Sequence, residues 1–141
     1  MKRVLVDINV ILDVLLDRRP YVGASSDVWA AIEDGRVDGL LAGHALTTIH
    51  YLSHRAMGPA LARETTDALL SVFAIAAVDE GVVHSANALG WRDFEDAVTA
   101  ASAHRAKCAA IITRNITDFA GSPVPALTPA EAAAIFGARE S

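Results

Sequence analysis

Val4-Leu5-Val6-Asp7-Ile8-Asn9-Val10-Ile11-Leu12-Asp13 is the stretch from which the rest of the chain can be read. The apolar run Val4 to Val6 has the character of a buried strand, and Arg3 to Asp7 is expected as that strand. A second apolar stretch runs from Val10 to Leu16, so a helix is expected from about Asn9 to Leu16. Asp7 then stands where a buried strand stops and a helix begins. Open α/β sheets gather their chemistry at that place, beyond the carboxyl ends of the strands. Two more acids have similar settings: Asp96 heads an alanine-rich helix, and Asp118 lies just past the apolar strand Ala109-Ala110-Ile111-Ile112. Three separated carboxylates converging on one sheet edge point to a divalent-metal site.

Outward from this stretch the chain alternates strand and helix signals. Pro20 ends the break Asp17-Arg18-Arg19-Pro20. Ser25, Ser26 and Asp27 offer caps or first-turn acceptors for a second helix reaching about Glu33, with Gly35 at its end. Gly39 to Ala42 reads as a strand and Thr47 to Arg55 as a helix. Gly58-Pro59 opens another helix to about Phe73. Ala74 to Val78 reads as a strand, Gly81 to Leu89 as a helix, and Asp93 as the N-cap of Phe94 to Lys107. The strand Ala109 to Thr113 follows, then a candidate edge strand Val124 to Leu127. Thr128-Pro129-Ala130-Glu131 carries the signature of a capping box. Strands separated by helices imply a mainly parallel sheet covered by helices on both faces, a three-layer α/β/α sandwich.

With 141 residues, the chain is expected to form one domain spanning 1–141 and able to bury a sizeable core. Apolar residues make up 52% of it, but no apolar stretch reaches the ~20 residues that a membrane-spanning helix needs. Its start, Met-Lys-Arg and a short strand, lacks the apolar core of a signal peptide, so no membrane association and a cytoplasmic location are expected. Cys108 is alone, which excludes an internal disulfide and a zinc-finger cluster, and reads as a packing residue. A net charge of −5 argues against nonspecific nucleic-acid binding by bulk electrostatics. It does not exclude a nucleic-acid enzyme, because a metal cancels local carboxylate charge, and Arg18, Arg19, Arg55, Arg114 and Lys107 can form a local basic rim.

Three segments in this order, Val4 to Asp13, Asp93-Phe94-Glu95-Asp96-Ala97 and Ile112-Thr113-Arg114-Asn115-Ile116-Thr117-Asp118-Phe119, resemble the PIN domain family of metal-dependent nucleases, which includes the VapC-type toxins of bacterial toxin–antitoxin pairs. The resemblance covers nearly the whole chain. It implies a compact α/β/α sandwich that cuts RNA with Mg²⁺ or Mn²⁺ held by acids, often as a homodimer and, for a toxin, with a cognate antitoxin. Asp7 and Asp96 match metal-binding acids of the family, and Asp118 follows as a third.

Chemistry gives the same acids an independent rationale, because Mg²⁺ and Mn²⁺ prefer hard oxygen ligands and keep several waters. Each residue also has a plainer reading. Asp7 can cap the following helix, Asn9 can serve a turn, and Asp96 with Glu95 and Asp93 can simply stabilise a helix N-terminus. Asp118 can reach a metal, act through water or hold the turn, and Asn115 stands where the family often carries an acid and can supply a weaker oxygen ligand. Many relatives also carry a Glu on the helix that here reads Leu46 to Leu52, where His50 takes its approximate place; no acid lies between Asp38 and Glu64. His50 is expected to border the acidic pocket without being an essential ligand, and Glu95 can compensate. His50 and His54 share a helix face at a spacing that suits a metal or surface contacts. Thr113 and Arg114 can engage a phosphate, with surface solvation an equal reading for Arg114, while Asp13 and Asp17 are expected to be solvated or in salt bridges. Trp29, Trp91 and Phe94 are expected in the core or an interface more than against bases, and Trp29, Tyr51, Leu52 and Trp91 supply apolar surface for a dimer or partner. A haloacid-dehalogenase-type phosphohydrolase fits poorly, since its second Asp would stand at Asn9. A noncatalytic PIN-like module that binds RNA or protein is the stronger alternative.

Overall fold

The computed structural model describes residues 2–137 and has five strands in the order β3-β2-β1-β4-β5, every pair parallel. Along the chain run β1 (Arg3–Val6), α1 (Ile8–Leu15), α2 (Val22–Glu33), β2 (Asp38–Ala42), α3 (Gly43–Met57), α4 (Pro59–Val72) and β3 (Ala74–Ala76). They are followed by α5 (Glu80–Leu89), α6 (Phe94–Arg105), β4 (Ala110–Ile112), a 3-10 turn (Ile116–Phe119), β5 (Ala126–Leu127) and α7 (Pro129–Phe136). No helix among the described residues is long and apolar enough to cross a membrane.

Residues of β1 point alternately to the two faces of the sheet, and both faces are covered. Val4 and Val6 pack with Val10 and Ile11 of α1, Val28 and Ile32 of α2, Leu69 of α4 and Ala132 of α7. Leu5 packs on the other face with Ala100 and Ala103 of α6, while Val82 and Ala86 of α5 lean on α6 in turn. This is the three-layer sandwich, with β1 at its centre, as an uninterrupted apolar strand demands. The sheet grows one way from β1 through β2 to β3 and then resumes on the other side of β1 with β4. The β1/β4 boundary is therefore the point where strand order reverses, and at such points the loops part to leave a crevice.

Several local expectations are adjusted by packing. The sheet is wholly parallel among the described strands. Helix α3 begins at Gly43, four residues before the expected Thr47, because β2 passes straight into it. Ser25 does not cap α2: it is fully buried, and its hydroxyl donates to Asp13 Oδ2 at 3.4 Å. The capping box at α7 is present, with Thr128 and Glu131 bonded reciprocally, and those bonds hold the Glu131 carboxyl below its ordinary pKa. Trp29 packs edge-on against Phe73 at 5.3 Å and Trp91 against Phe119 at 5.9 Å, so neither is a free surface tryptophan, whereas Tyr51 is 59% exposed. Cys108 is buried, and burial pushes its thiol up to about 11, in keeping with an inert packing residue.

Asp13, expected in solvent or a salt bridge, is a salt-bridge residue with no exposure at all. The Nε of Arg114 lies 2.8 Å from its Oδ2, close enough for an ion pair although the N–H is not aligned for a hydrogen bond, and Oδ1 has no hydrogen-bond partner. Arg114 also lies over the Tyr21 ring, its Cζ 4.0 Å from the centroid. The pair ties the segment after β4 to α1 and to the loop before α2. Removing one member strands a buried charge, while replacing both with apolar groups avoids that cost. Asp13→Ala is accordingly expected to lower the unfolding free energy by about 3–5 kcal/mol, and the double variant Asp13→Leu/Arg114→Met by clearly less, in urea denaturation. Equal losses in the single and double variants would contradict this account.

Candidate metal centre

Parallel pairing of β1 with β4 sets Val6 beside Ile112, so the residues one step further, Asp7 and Thr113, meet at the carboxyl edge of the sheet. The Asp7 backbone N–H donates to the Ile112 carbonyl at 2.9 Å, and the Thr113 hydroxyl donates to Asp7 Oδ2 at 2.8 Å. Asn9 Nδ2 donates to the same oxygen at 3.1 Å, and Oδ1 accepts from the Ile8 N–H at 2.9 Å, which makes Asp7 the N-cap of α1 as well. Asn9 Oδ1 accepts from the Arg114 N–H at 3.4 Å, and Thr113 Oγ1 accepts from the Asn115 N–H at 3.1 Å. Three hydrogen bonds thus fix the carboxylate of a residue that is only 8% exposed.

Asp96 reaches the same region from the first turn of α6, whose N-terminus is set by Asp93 accepting the Asp96 N–H at 3.1 Å. Asp118 comes from the 3-10 turn, pinned beneath by buried Phe119. Asp93, Glu95, Asp96 and Asp118 line one open cleft of about 760 Å³, together with Trp91, Arg92 and the half-exposed Phe94. The acids sense one another. Burial, and then the charges of Asp118 and Asp93, push the Asp7 carboxyl up, against the opposing pull of its hydrogen bonds. Burial followed by the charges of Asp93, Asp7 and Asp118 pushes Asp96 up to about 7. Among the described residues no Lys, Arg or His forms an ion pair with Asp7, Asp93, Glu95, Asp96 or Asp118.

No three His, Cys, Asp or Glu side chains among the described residues are gathered tightly enough to cage an ion by themselves. A small hard cation does not need such a cage, since Mg²⁺ is commonly held by one or two carboxylates and keeps its remaining waters. An all-oxygen donor set, two carboxylates pushed up by burial and mutual repulsion, and no side-chain cation ion-paired with them among the described residues, exposed Arg92 on the cleft wall included, fit such an ion.

Other sequence expectations fare differently. His50 is exposed on α3 and pairs through Nδ1 with Thr66 Oγ1 of α4 at 2.8 Å, so it faces the neighbouring helix and does not take the place of a ligating Glu. The His50/His54 pair belongs to no metal-binding group. Arg114, read equally as a phosphate contact or a solvated surface residue, is held by Asp13 and Tyr21. His44 was missed: it opens α3 immediately beyond β2, and its Nε2 lies 3.4 Å from Thr99 Oγ1, one turn after Asp96. Thr99 donates its own proton to the Glu95 carbonyl, so the His44 contact requires the proton on Nε2 and leaves a buried Nδ1 acceptor without a partner. Only the adjacency of β2 to β1 marks this histidine out.

The raised carboxyl of Asp96 has a definite sign in pH dependence. Its folded-state pKa of about 7 lies above its ordinary 3.8, so the folded state binds the extra proton and stability falls as pH rises between these values. With a chelator present, Asp96→Asn should melt above the wild type at about pH 8 and lose that advantage as the pH falls towards 4. Added Mg²⁺ or Mn²⁺ should raise the melting temperature of the wild type more than that of the variant, by mass action on the folded state. Identical chelated melting curves at both ends of the pH range would contradict the site electrostatics.

The PIN domain model matches residues 3–117 of the chain. Among curated proteins none matches it in sequence. Solved structures share its fold: a toxin–antitoxin complex from Klebsiella pneumoniae has a TM-score of 0.68 at 23% identity, covering 89% of this chain and 97% of that one. DNA-bound VapBC from Salmonella typhimurium gives 0.70 at 11% identity, with 92% and 99% covered. The sarcin-ricin-loop-cleaving toxin VapC20 of Mycobacterium tuberculosis gives 0.62 at 18% identity, with 77% and 86% covered. With the family model spanning most of the chain and the doubly wound sheet placing acids at its switch point, the chain belongs to the PIN domain family.

Proposed function

We propose that this protein is a divalent-metal-dependent endoribonuclease and the VapC-type toxin of a bacterial toxin–antitoxin pair, acting in the cytoplasm. The observation that carries the reading is the mutually repelling cluster of Asp7, Asp96 and Asp118, none of them ion-paired among the described residues, at the switch point of the sheet. These three acids would hold Mg²⁺ or Mn²⁺, with Glu95 and Asn115 as accessory oxygen donors on the same two turns. When bound, such an ion lowers the pKa of a water and neutralises charge developing on the phosphate. Thr113 and Asn9 orient Asp7 by donating to its Oδ2, leaving Oδ1 engaged only by the Ile8 N–H. The cleft beside Asp96 is open enough to admit a single strand, and the exposed ring of Phe94 offers a stacking surface for a base.

The toxin assignment draws support from the solved structures of like fold, several of which are toxin–antitoxin complexes. An antitoxin segment that presents Arg or Lys to the acids would silence the enzyme, because a cation there competes with the metal. Three observations favour a second reading, a noncatalytic PIN module. Helix α3 carries no acid, His50 points to α4, and no preformed metal cage exists among the described residues.

Cleavage separates the two readings. Asp7→Asn and Asp96→Asn should each lower Mg²⁺- or Mn²⁺-dependent cleavage of single-stranded RNA by roughly a hundredfold or more, with circular dichroism unchanged. His50→Ala should stay within about twofold of the wild type, since its ring contacts Thr66 and not the acids. Wild-type protein that binds RNA but never cuts it at any metal concentration would establish the noncatalytic module. For the assembly, light scattering should give twice the chain mass, and the product of an adjacent small reading frame should co-purify and relieve growth arrest. A strictly monomeric mass with no such partner would favour a stand-alone RNA-processing nuclease.

A further inference from the structure

Resting on the nuclease reading, we infer that the cleft between the loop before α2 and the start of α7 is a base-reading pocket that takes a guanine next to the scissile phosphate. This cleft, about 240 Å³, is lined by Pro20, Tyr21, Ala24, Arg114, Pro129 and Ala130, with Thr128 completing it. Its one ionised group is Arg114. The guanidinium is anchored through Nε to fully buried Asp13 and packed over Tyr21, and its side chain remains 22% exposed. Among the described residues, neither Nη group donates a hydrogen bond.

The occupant follows from what this arrangement lacks. Asp13 already balances the charge of Arg114, and the walls are proline, alanine and an aromatic ring. A phosphate entering here would give up hydration without gaining net attraction. A neutral, planar ligand bearing acceptors suffers no such cost. A nucleobase is that ligand in RNA, since unstacked bases are bound by aromatic and guanidinium surfaces and read along their edges. A guanidinium fork matches two adjacent acceptors, the O6 and N7 of guanine, whereas adenine presents a donor at one of those positions. The place is also right. Arg114 directly follows Thr113, whose hydroxyl bonds Asp7, and its own backbone N–H is held by Asn9. A strand lying across the acids therefore passes this cleft.

The test is to map cut sites in a randomised single-stranded RNA pool for wild type, Tyr21→Ala and Ala130→Trp. Arg114 is left in place, because its removal would strand Asp13. Ala130 is exposed, and a tryptophan there fills the cleft while leaving both members of the ion pair in the chain. Guanine should be enriched about tenfold at one fixed position beside the cut in wild type, and that enrichment should vanish in both variants and when 7-deazaguanine replaces guanine. A wild-type profile flat in all four bases overturns the pocket while the nuclease stands. Enrichment that survives both variants, or survives 7-deazaguanine should the variants fail to fold, also overturns it. If no RNA is cut at all, the nuclease reading fails, and binding of metal-free wild type to short homopolymers decides the pocket. Tighter binding of the guanine oligomer than of the other three upholds it; equal affinities overturn it and leave the cleft to a protein segment.

Discussion

The parallel pairing of β1 with β4 is the constraint on which the rest of this structure depends. Its register, Val6 beside Ile112, leaves Asp7 and Thr113 as the first residues past two neighbouring strands, and the Thr113 hydroxyl then bonds the Asp7 carboxylate across the boundary. A slip of one residue would turn Leu5 and Ile111 away from α6 and take the hydroxyl off the carboxylate. Core packing on both faces of the sheet therefore holds the register that the site requires. The same pairing carries Asn115 and the 3-10 turn with Asp118 to the edge where α6 delivers Asp96.

Two kinds of charge flank that boundary and are handled in opposite ways. On the α1 side, buried Asp13 is paired with Arg114, so the charge is settled within the fold and the pair acts as a strut. On the α6 side, Asp7, Asp93, Asp96 and Asp118 repel one another, and no side-chain cation among the described residues is ion-paired with them. A fold tolerates such repulsion when something outside the chain relieves it, which is the physical sense of a metal site. The neutral, apolar pocket and the acidic cleft thus lie on either side of one strand end. That arrangement suits a substrate that is both a polyanion and a string of flat bases.

Much of this was legible along the sequence. Alternating strand and helix signals give the layers, the acid after Val4-Leu5-Val6 marks the sheet edge, and Thr128 with Glu131 marks the start of α7, because each depends on residues within a few positions of one another. Asp93 as the cap of α6 is equally local. His50 misled for a related reason: counting along α3 finds the approximate place of a missing Glu, but helix rotation decides which way a side chain points, and packing on α4 turns this one to Thr66.

By itself the sequence determined the class of fold, the Asp7–Asp96–Asp118 set as candidates and the lack of an acid on α3, all of which follow from residue type and short-range order. Only the tertiary structure decided which acids share one field, that the salt bridge of Asp13 is to Arg114 and fully buried on the Asp13 side, that His44 lies beside α6, and that Tyr21 and Pro129 close a cleft around the guanidinium. These are contacts between residues far apart in the chain. Their formation depends on the strand order β3-β2-β1-β4-β5, and no local pattern encodes which strand will lie beside which.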